Sequence, residues 1–149
     1  MRALKIEEAT DCSLVESLYR LEHLCFGETA WSKDLLAVSL TSAVKHVYII
    51  HEQQRMLGYM IIQIILDEGE IERIGIHPDF RRQSLGKHLL MNVLEQNTIA
   101  DCFLEVNAMN VSAKKLYHSC GFEIIGCREK YYQDGNDALM MKWKRNFNE

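Results

Sequence analysis

Apolar residues recur along this chain in two periods, and the order in which those periods alternate sets out a fold. Residues 4–7 read as a short strand, after which Thr10 and Asp11 offer helix caps. Leu14, Leu18, Leu21 and Cys25 follow at helical spacing until Gly27. Trp31 precedes Ser32, a cap for a second helix carrying Leu35, Leu36 and Leu40. The period then falls to two. Residues 47–51, 57–66 and 70–76 read as strands, joined by turns at 52–55 and at Asp67-Glu68-Gly69, which makes a hairpin-linked meander.

Helical spacing returns at 85–96, where Leu85, Leu89, Leu90, Val93 and Leu94 form one apolar face. A buried-type strand at 102–106 follows, then a helix at 110–120 with Gly121 placed to end it. Strands at 122–128 and 138–143 close the chain around the polar loop Asp134-Gly135-Asn136. A meander followed by crossover helices predicts a mixed sheet in a layered α/β or α+β domain. Where the strand order switches, the carboxyl ends of the strands open a crevice suited to a ligand.

Composition narrows the class. A chain of 149 residues is expected to form one domain, 1–149, and to bury roughly 70% of its unfolded surface. A formal charge of −4 argues against direct nucleic-acid binding. The five cysteines are odd in number and lack a Cys-x-x-Cys pair, so neither a disulfide framework nor a zinc site is expected. They read as reduced, mostly buried thiols of a cytoplasmic protein. Residues 1–10 lack the apolar core of a signal peptide, and no apolar run approaches the ~20 residues of a membrane span.

The chemistry-bearing stretch begins at Ile71-Glu72-Arg73-Ile74-Gly75-Ile76. The strand delivers Arg81-Arg82-Gln83-Ser84-Leu85-Gly86-Lys87 onto a helix N-terminus. Backbone N–H groups without helical partners, a favourable dipole and three cations suit a phosphate. Read singly, other residues have plain roles. Glu105 is a strand-end acid paired with an Arg or Lys, Tyr117 a core-facing ring, and Asn110 an N-cap. Tyr131 and Tyr132 pack a loop, Trp31 is a packing anchor, Cys120 a buried thiol, and Met140-Met141 strand core.

Together these residues resemble the GNAT N-acetyltransferase superfamily. The loop is similar to its pyrophosphate motif Q/R-x-x-G-x-G/A, with Arg81 first, Gly86 last, and Ser84 where the first Gly is usual. Serine at that place has a steric cost if φ is positive, but its hydroxyl can bond a phosphate oxygen. Leu104-Glu105-Val106, Asn110, Ala113, Leu116-Tyr117 and Gly121-Phe122 match the family's L-E-V-x-x-x-N … A-x-x-L-Y-x-x-x-G-F block. Within the family, Trp31-Ser32 and Tyr131-Tyr132 resemble the bacterial ribosomal-protein-alanine acetyltransferases, although Ala30 stands where those have Pro.

The resemblance implies a mixed central sheet, an antiparallel meander followed by β-α-β-α-β-β, with helices on both faces. It implies acetyl-CoA held by Ile74, Gly75, Ile76, Arg82, Gln83, Ser84, Leu85, Gly86, Lys87 and Asn110. Glu105 would be the proton acceptor and Tyr117 the proton donor, with Tyr131 and Tyr132 at the acceptor. The acceptor would be the N-terminal segment of a small-subunit ribosomal protein, with no metal and no membrane involved. The chemistry fits those roles. An α-amine, with a pKa of about 7.7–8.0, is readily neutral, a carboxylate can take its proton, and a phenol near pKa 10 can protonate a departing thiolate. Two alternatives stay open: a small-molecule amine or lysine as acceptor, or a non-catalytic acyl-CoA-binding module.

Overall fold

The computed structural model describes residues 3–146. Strand β1 (Leu4–Ala9) leads through a 3₁₀ turn, Cys12–Leu14, into helix α1 (Val15–Phe26). Asp11 caps that turn by accepting from the Ser13 N–H at 2.9 Å, and Gly27 ends the helix at φ +56°. Helix α2 (Lys33–Thr41) starts at Ser32, whose hydroxyl accepts from the Leu35 N–H at 3.2 Å. The meander is β2 (Lys45–Glu52), β3 (Arg55–Ile65) and β4 (Glu68–Ile76), and α3 (Leu85–Gln96) follows. Strand β5 (Asp101–Asn107), α4 (Val111–Ser119), β6 (Glu123–Arg128) and β7 (Ala138–Lys144) complete the fold. No helix among the described residues is long and apolar enough to cross a membrane.

The strands form one seven-stranded sheet in the order β1-β2-β3-β4-β5-β7-β6. Among the described strands only β4 and β5 run parallel. Side-chain alternation splits the apolar residues into two cores. Tyr48, Ile50, Met60 and Ile62 face α3 and join Leu85, Leu89, Leu90, Val93 and Leu94. Val47, Ile49, Tyr59 and Ile61 face the other way, against Leu18 and Leu21 of α1 and Leu36 and Leu40 of α2. Helices therefore cover both faces.

Three local expectations are corrected. Leu35 lies on the outer side of α2, 53% exposed, and Ser39 takes the buried place, its hydroxyl bonded to the Leu35 carbonyl at 3.0 Å. The turn after β3 is tighter than the polar triplet implied. It is confined to Leu66 and Asp67, with Leu66 at φ +56°, and Glu68 and Gly69 already pair with Ile65 and Ile64. The cysteines are not mostly buried: Cys102 and Cys120 are, Cys25 is half-buried, and Cys12 and Cys127 are exposed, all five as free thiols.

One feature of this fold has no signal in the hydrophobic pattern. Glu22 on α1 is 0% exposed. Arg73 of β4 reaches it with Nη2 at 2.5 Å and with Nε at 3.1 Å from the same oxygen, Oε2. Tyr59 donates its hydroxyl to the other carboxylate oxygen, and the Trp31 N–H donates to Oε2 at 2.7 Å. Burial pushes the Tyr59 phenol far above its usual range, so it stays a neutral donor. Arg73 also donates to the Thr29 carbonyl at 2.9 Å and stacks 3.5 Å from the Phe26 ring centre.

Removing one partner of a buried pair strands a charge in a dry site. Arg73→Met is expected to lower unfolding free energy by about 3–5 kcal/mol in urea titration. A loss below about 1 kcal/mol would mean that water already reaches the carboxylate.

Candidate functional site

The site follows from where β4 and β5 stop pairing. Their parallel ladder has only three partners: Glu68 with Asp101, Gly69 with Cys102, and Glu70 with Phe103. Beyond that point β4 pairs only with β3, and β5 only with β7. A wedge opens between them toward their carboxyl ends. A bulge at Glu72 marks the divergence, since Ile71 opposes Ile62 and Arg73 opposes Ile61 with Glu72 left over. Such an extra residue bends the strand and increases its twist.

The edge of β4 in the wedge is made of backbone. Gly75 opposes Tyr59, and the His77 N–H donates to the Leu57 carbonyl at 2.8 Å. By antiparallel alternation the polar groups of Gly75 face β3, and those of Ile74 and Ile76 face the wedge. The Ile76 carbonyl accepts from Arg81 Nε at 3.0 Å and from Cys25 Sγ at 3.4 Å. Gly75 is needed for packing, because a Cβ there would sit 2.9 Å from the Tyr59 ring and 3.1 Å from Cys25 Sγ.

Past Ile76 the 3₁₀ turn Pro78–Phe80 leads to the basic loop. The first backbone bond of α3 runs from the His88 N–H to the Ser84 carbonyl at 3.0 Å. The N–H groups of Leu85, Gly86 and Lys87 therefore precede any helical acceptor, and Arg81, Arg82 and Lys87 stand exposed around them. Arg82 and Ser84 both have positive φ, +62° and +60°. Ser84 thus adopts the backbone that a glycine would take without strain, and its hydroxyl caps nothing on α3. Gly86 lets α3 approach α4, since a Cβ there would lie 3.2 Å from Leu116 Cδ2.

On the other edge, Leu104 and Val106 of β5 enter the core under α3, so Glu105 projects to the opposite, α1–α2 face. Glu105 lies 3.5 Å from Arg128 of β6, the pairing expected of a plain strand-end acid. The loop 129–137 stands beside it, tied to β5 by the Asn107 Nδ2 bond to Asp134 at 3.1 Å. That loop carries Tyr131 and Tyr132, edge to face at 5.1 Å. Burial raises the Tyr132 pKa, and the Glu105 charge raises it further, which brings those two groups into one electrostatic neighbourhood.

Helix α4 supplies the remaining candidates. Asn110 is the N-cap, its side-chain oxygen accepting from the Ala113 N–H at 3.1 Å, a role that engages the oxygen and not the amide NH₂. Two turns on, Tyr117 is 7% exposed and packs on Phe122 at 6.0 Å. Burial pushes its phenol well above the ordinary range, with Tyr132 the next contribution. It remains protonated throughout the neutral range. Gly121, at φ +97°, ends the helix, with bonds from the Gly121 N–H to the His118 carbonyl and the Phe122 N–H to the Tyr117 carbonyl, both 3.0 Å. Cys120 is buried and its thiol pKa raised, as a structural thiol's would be. Trp31 is held by its own N–H on Glu22, with Arg73 5.3 Å from its ring. Among the described residues no group of three or more His, Cys, Asp or Glu side chains is placed to hold a metal. Sequence reasoning missed Glu22, Arg73 and Arg128, whose partners lie far away along the chain.

A match to the acetyltransferase (GNAT) domain family spans residues 14–145. A Bacillus subtilis protein, provisionally named a ribosomal protein bS18-alanine N-acetyltransferase, is 33% identical over 132 residues, which is 85% of this chain and 87% of that protein. The Escherichia coli K12 ribosomal protein bS18-alanine N-acetyltransferase is 40% identical over 93 residues, 58% of this chain and 63% of that one. The crystal structure of the Escherichia coli ribosomal-protein-S18-alanine N-acetyltransferase superposes with a TM-score of 0.85 at 28% identity, covering 98% of both chains.

The left-handed backbone at Ser84 gives a direct test. Ser84→Gly is expected to raise stability by about 1 kcal/mol in chemical denaturation, because glycine adopts this φ without the Cβ clash. A fall in stability would show that the hydroxyl makes a bond worth more than the strain it brings.

Proposed function

The chain belongs to the GNAT family of acetyltransferases, and we propose that it transfers the acetyl group of acetyl-CoA to a protein N-terminal α-amine. We read residues 1–149 as one catalytic domain and the acceptor as the N-terminal alanine of a small-subunit ribosomal protein. The bS18-alanine activity in the names of its relatives supports that acceptor. Such an acceptor puts the reaction in the cytoplasm. The observation that carries the reading is the wedge. It has backbone groups and a helix N-terminus on one side, and a carboxylate with a pair of tyrosines on the other.

In this reading Ile74 and Ile76 offer wedge-facing backbone groups to the pantetheine arm, and Gly75 keeps the strand close to Tyr59. Arg82, Gln83, Ser84, Leu85, Gly86 and Lys87 surround the pyrophosphate with N–H groups and positive charge, and the Asn110 amide reaches the same molecule. Tyr131 and Tyr132 line the acceptor. Glu105 takes the proton that the amine loses as its nitrogen bonds the acetyl carbon, directly or through one water. Tyr117 gives a proton to the sulfur as the carbon–sulfur bond breaks; burial keeps its phenol protonated before that step. An α-amine suits this site better than a lysine, because its pKa of about 7.7–8.0 leaves far more of it neutral than one of about 10.4 does.

The test is mass spectrometry of a short peptide beginning with Ala, incubated with acetyl-CoA, beside the same peptide with a blocked N-terminus and an internal lysine. One acetyl group on the free peptide and none on the blocked one is the expected result. Acetylation of the blocked peptide would assign the chemistry to lysine instead. Glu105→Gln and Tyr117→Phe are each expected to lower kcat/KM by about 10²–10⁴-fold. Full activity in either variant would remove that residue from its role.

A further inference from the structure

Arg73 and Glu105 stand on opposite lips of the wedge at the same height. Counting on from the last ladder pair, Glu70 with Phe103, Ile71 falls level with Leu104; Glu72 is the bulge residue, and Arg73 falls level with Glu105. Both side chains lie on the α1–α2 face. Arg73 meets Glu22 and Phe26 there, and Glu105 alternates with the core residues Leu104 and Val106. One lip is therefore Glu105 with Arg128, Tyr131 and Tyr132. The other is the segment joining α1 to α2.

That connecting segment has little of its own to hold it. Its 3₁₀ turn, Gly27–Thr29, buries no residue, and Gly27, Glu28 and Thr29 are all exposed. Two bonds close it on itself, from the Thr29 hydroxyl to the Phe26 carbonyl at 2.9 Å and from the Ala30 N–H to the Gly27 carbonyl at 3.1 Å, and the buried pair is what ties it to strand β4. Arg73 grips the Thr29 carbonyl and lies against Phe26 and Trp31, while Glu22 holds the Trp31 N–H. Glu22 is wholly buried, and its carboxylate is shared among Arg73, Tyr59 and the Trp31 backbone. The pair thus bridges a helix, a loop and the strand that borders the wedge.

We propose that Glu22 and Arg73 are positioning residues for the acceptor, fixing the α1–α2 segment as the wall of the acceptor groove opposite Glu105. This rests on the reading that an amine is acetylated at this wedge. The side-chain hydrogen bonds of the pair run to Tyr59, Trp31 and Thr29 and not to the wedge-facing backbone of Ile74 or Ile76, so its removal is expected to weigh on the acceptor far more than on acetyl-CoA. Its removal then separates the two substrates.

The experiment uses the full chain carrying Glu22→Leu and Arg73→Met together, which replaces the ion pair with apolar side chains and strands no charge. The KM for the acceptor peptide is expected to rise at least about tenfold, with the KM for acetyl-CoA staying within about threefold. Amide hydrogen exchange at residues 27–31 is expected to speed up by at least about tenfold, while β5 and β7 keep their protection. Unchanged acceptor KM and unchanged exchange in the folded double variant would overturn the proposal. So would a parallel rise in both KM values, which marks general loosening. Arg73→Lys keeps the charge but loses the planar fork, and it gives the same split at smaller size if the double variant does not fold. If wild type acetylates no amine, the transfer reading fails, and exchange at 27–31 still decides whether this pair holds the loop.

Discussion

The parallel pairing of β4 with β5 ends after Glu70 and Phe103, and the arrangement of the site depends on that ending. A sheet that stayed paired would close its backbone groups into a ladder and leave no opening between the strands. Here β3 continues to hold β4 and β7 continues to hold β5, so neither strand frays where they separate. The bulge at Glu72 supplies the extra residue by which β4 turns away. Ile74 and Ile76 are left with polar groups aimed into a gap, and Glu105 with an open flank.

How much of this could be read from the sequence depended on whether a feature is local. The 3.6-residue spacing of Leu85, Leu89, Leu90, Val93 and Leu94 gives α3 to the residue, because all of them are buried on one face. Ser32, Asn110 and Gly121 mark helix ends through bonds made within a few residues. Three leucines near one helix face suggest a single stripe, yet Leu35 lies outside it, because Ser39 satisfies its hydroxyl on the helix backbone and buries at no loss. The triplet Asp67-Glu68-Gly69 looked like a turn, but Leu66 accepts a left-handed backbone at the tip and lets the strand resume earlier.

The long-range features had no such signal. Glu22 follows Leu21 in α1, where an acid beside an apolar stripe ordinarily meets water. Its partner Arg73 lies 51 residues further along. Nothing in either neighbourhood announces the pairing, since Arg73 sits in a strand whose other residues alternate normally up to the bulge. Glu105 shows the same limit. Its pairing with Arg128 is the bland reading of a strand-end acid, and the wedge on which its proposed role rests becomes visible only once β4 and β5 are placed side by side.

The two sides of the wedge are built from different materials, and this explains which departures from the family pattern they can absorb. The β4 side offers peptide groups and a helix N-terminus, which any side chain leaves in place. Ser84 therefore stands for glycine at a cost in backbone strain while the N–H groups of Leu85, Gly86 and Lys87 still precede any helical acceptor. The opposite side is made of side chains: Glu105, Arg128, Tyr131 and Tyr132 facing a loop held by Glu22 and Arg73. Each of these has one geometry and few substitutes, since a planar fork, a stacked ring and a buried carboxylate are not exchangeable for one another. In the proposed reading, tolerance should therefore concentrate on the side given to the common co-substrate, and sensitivity on the side given to the acceptor.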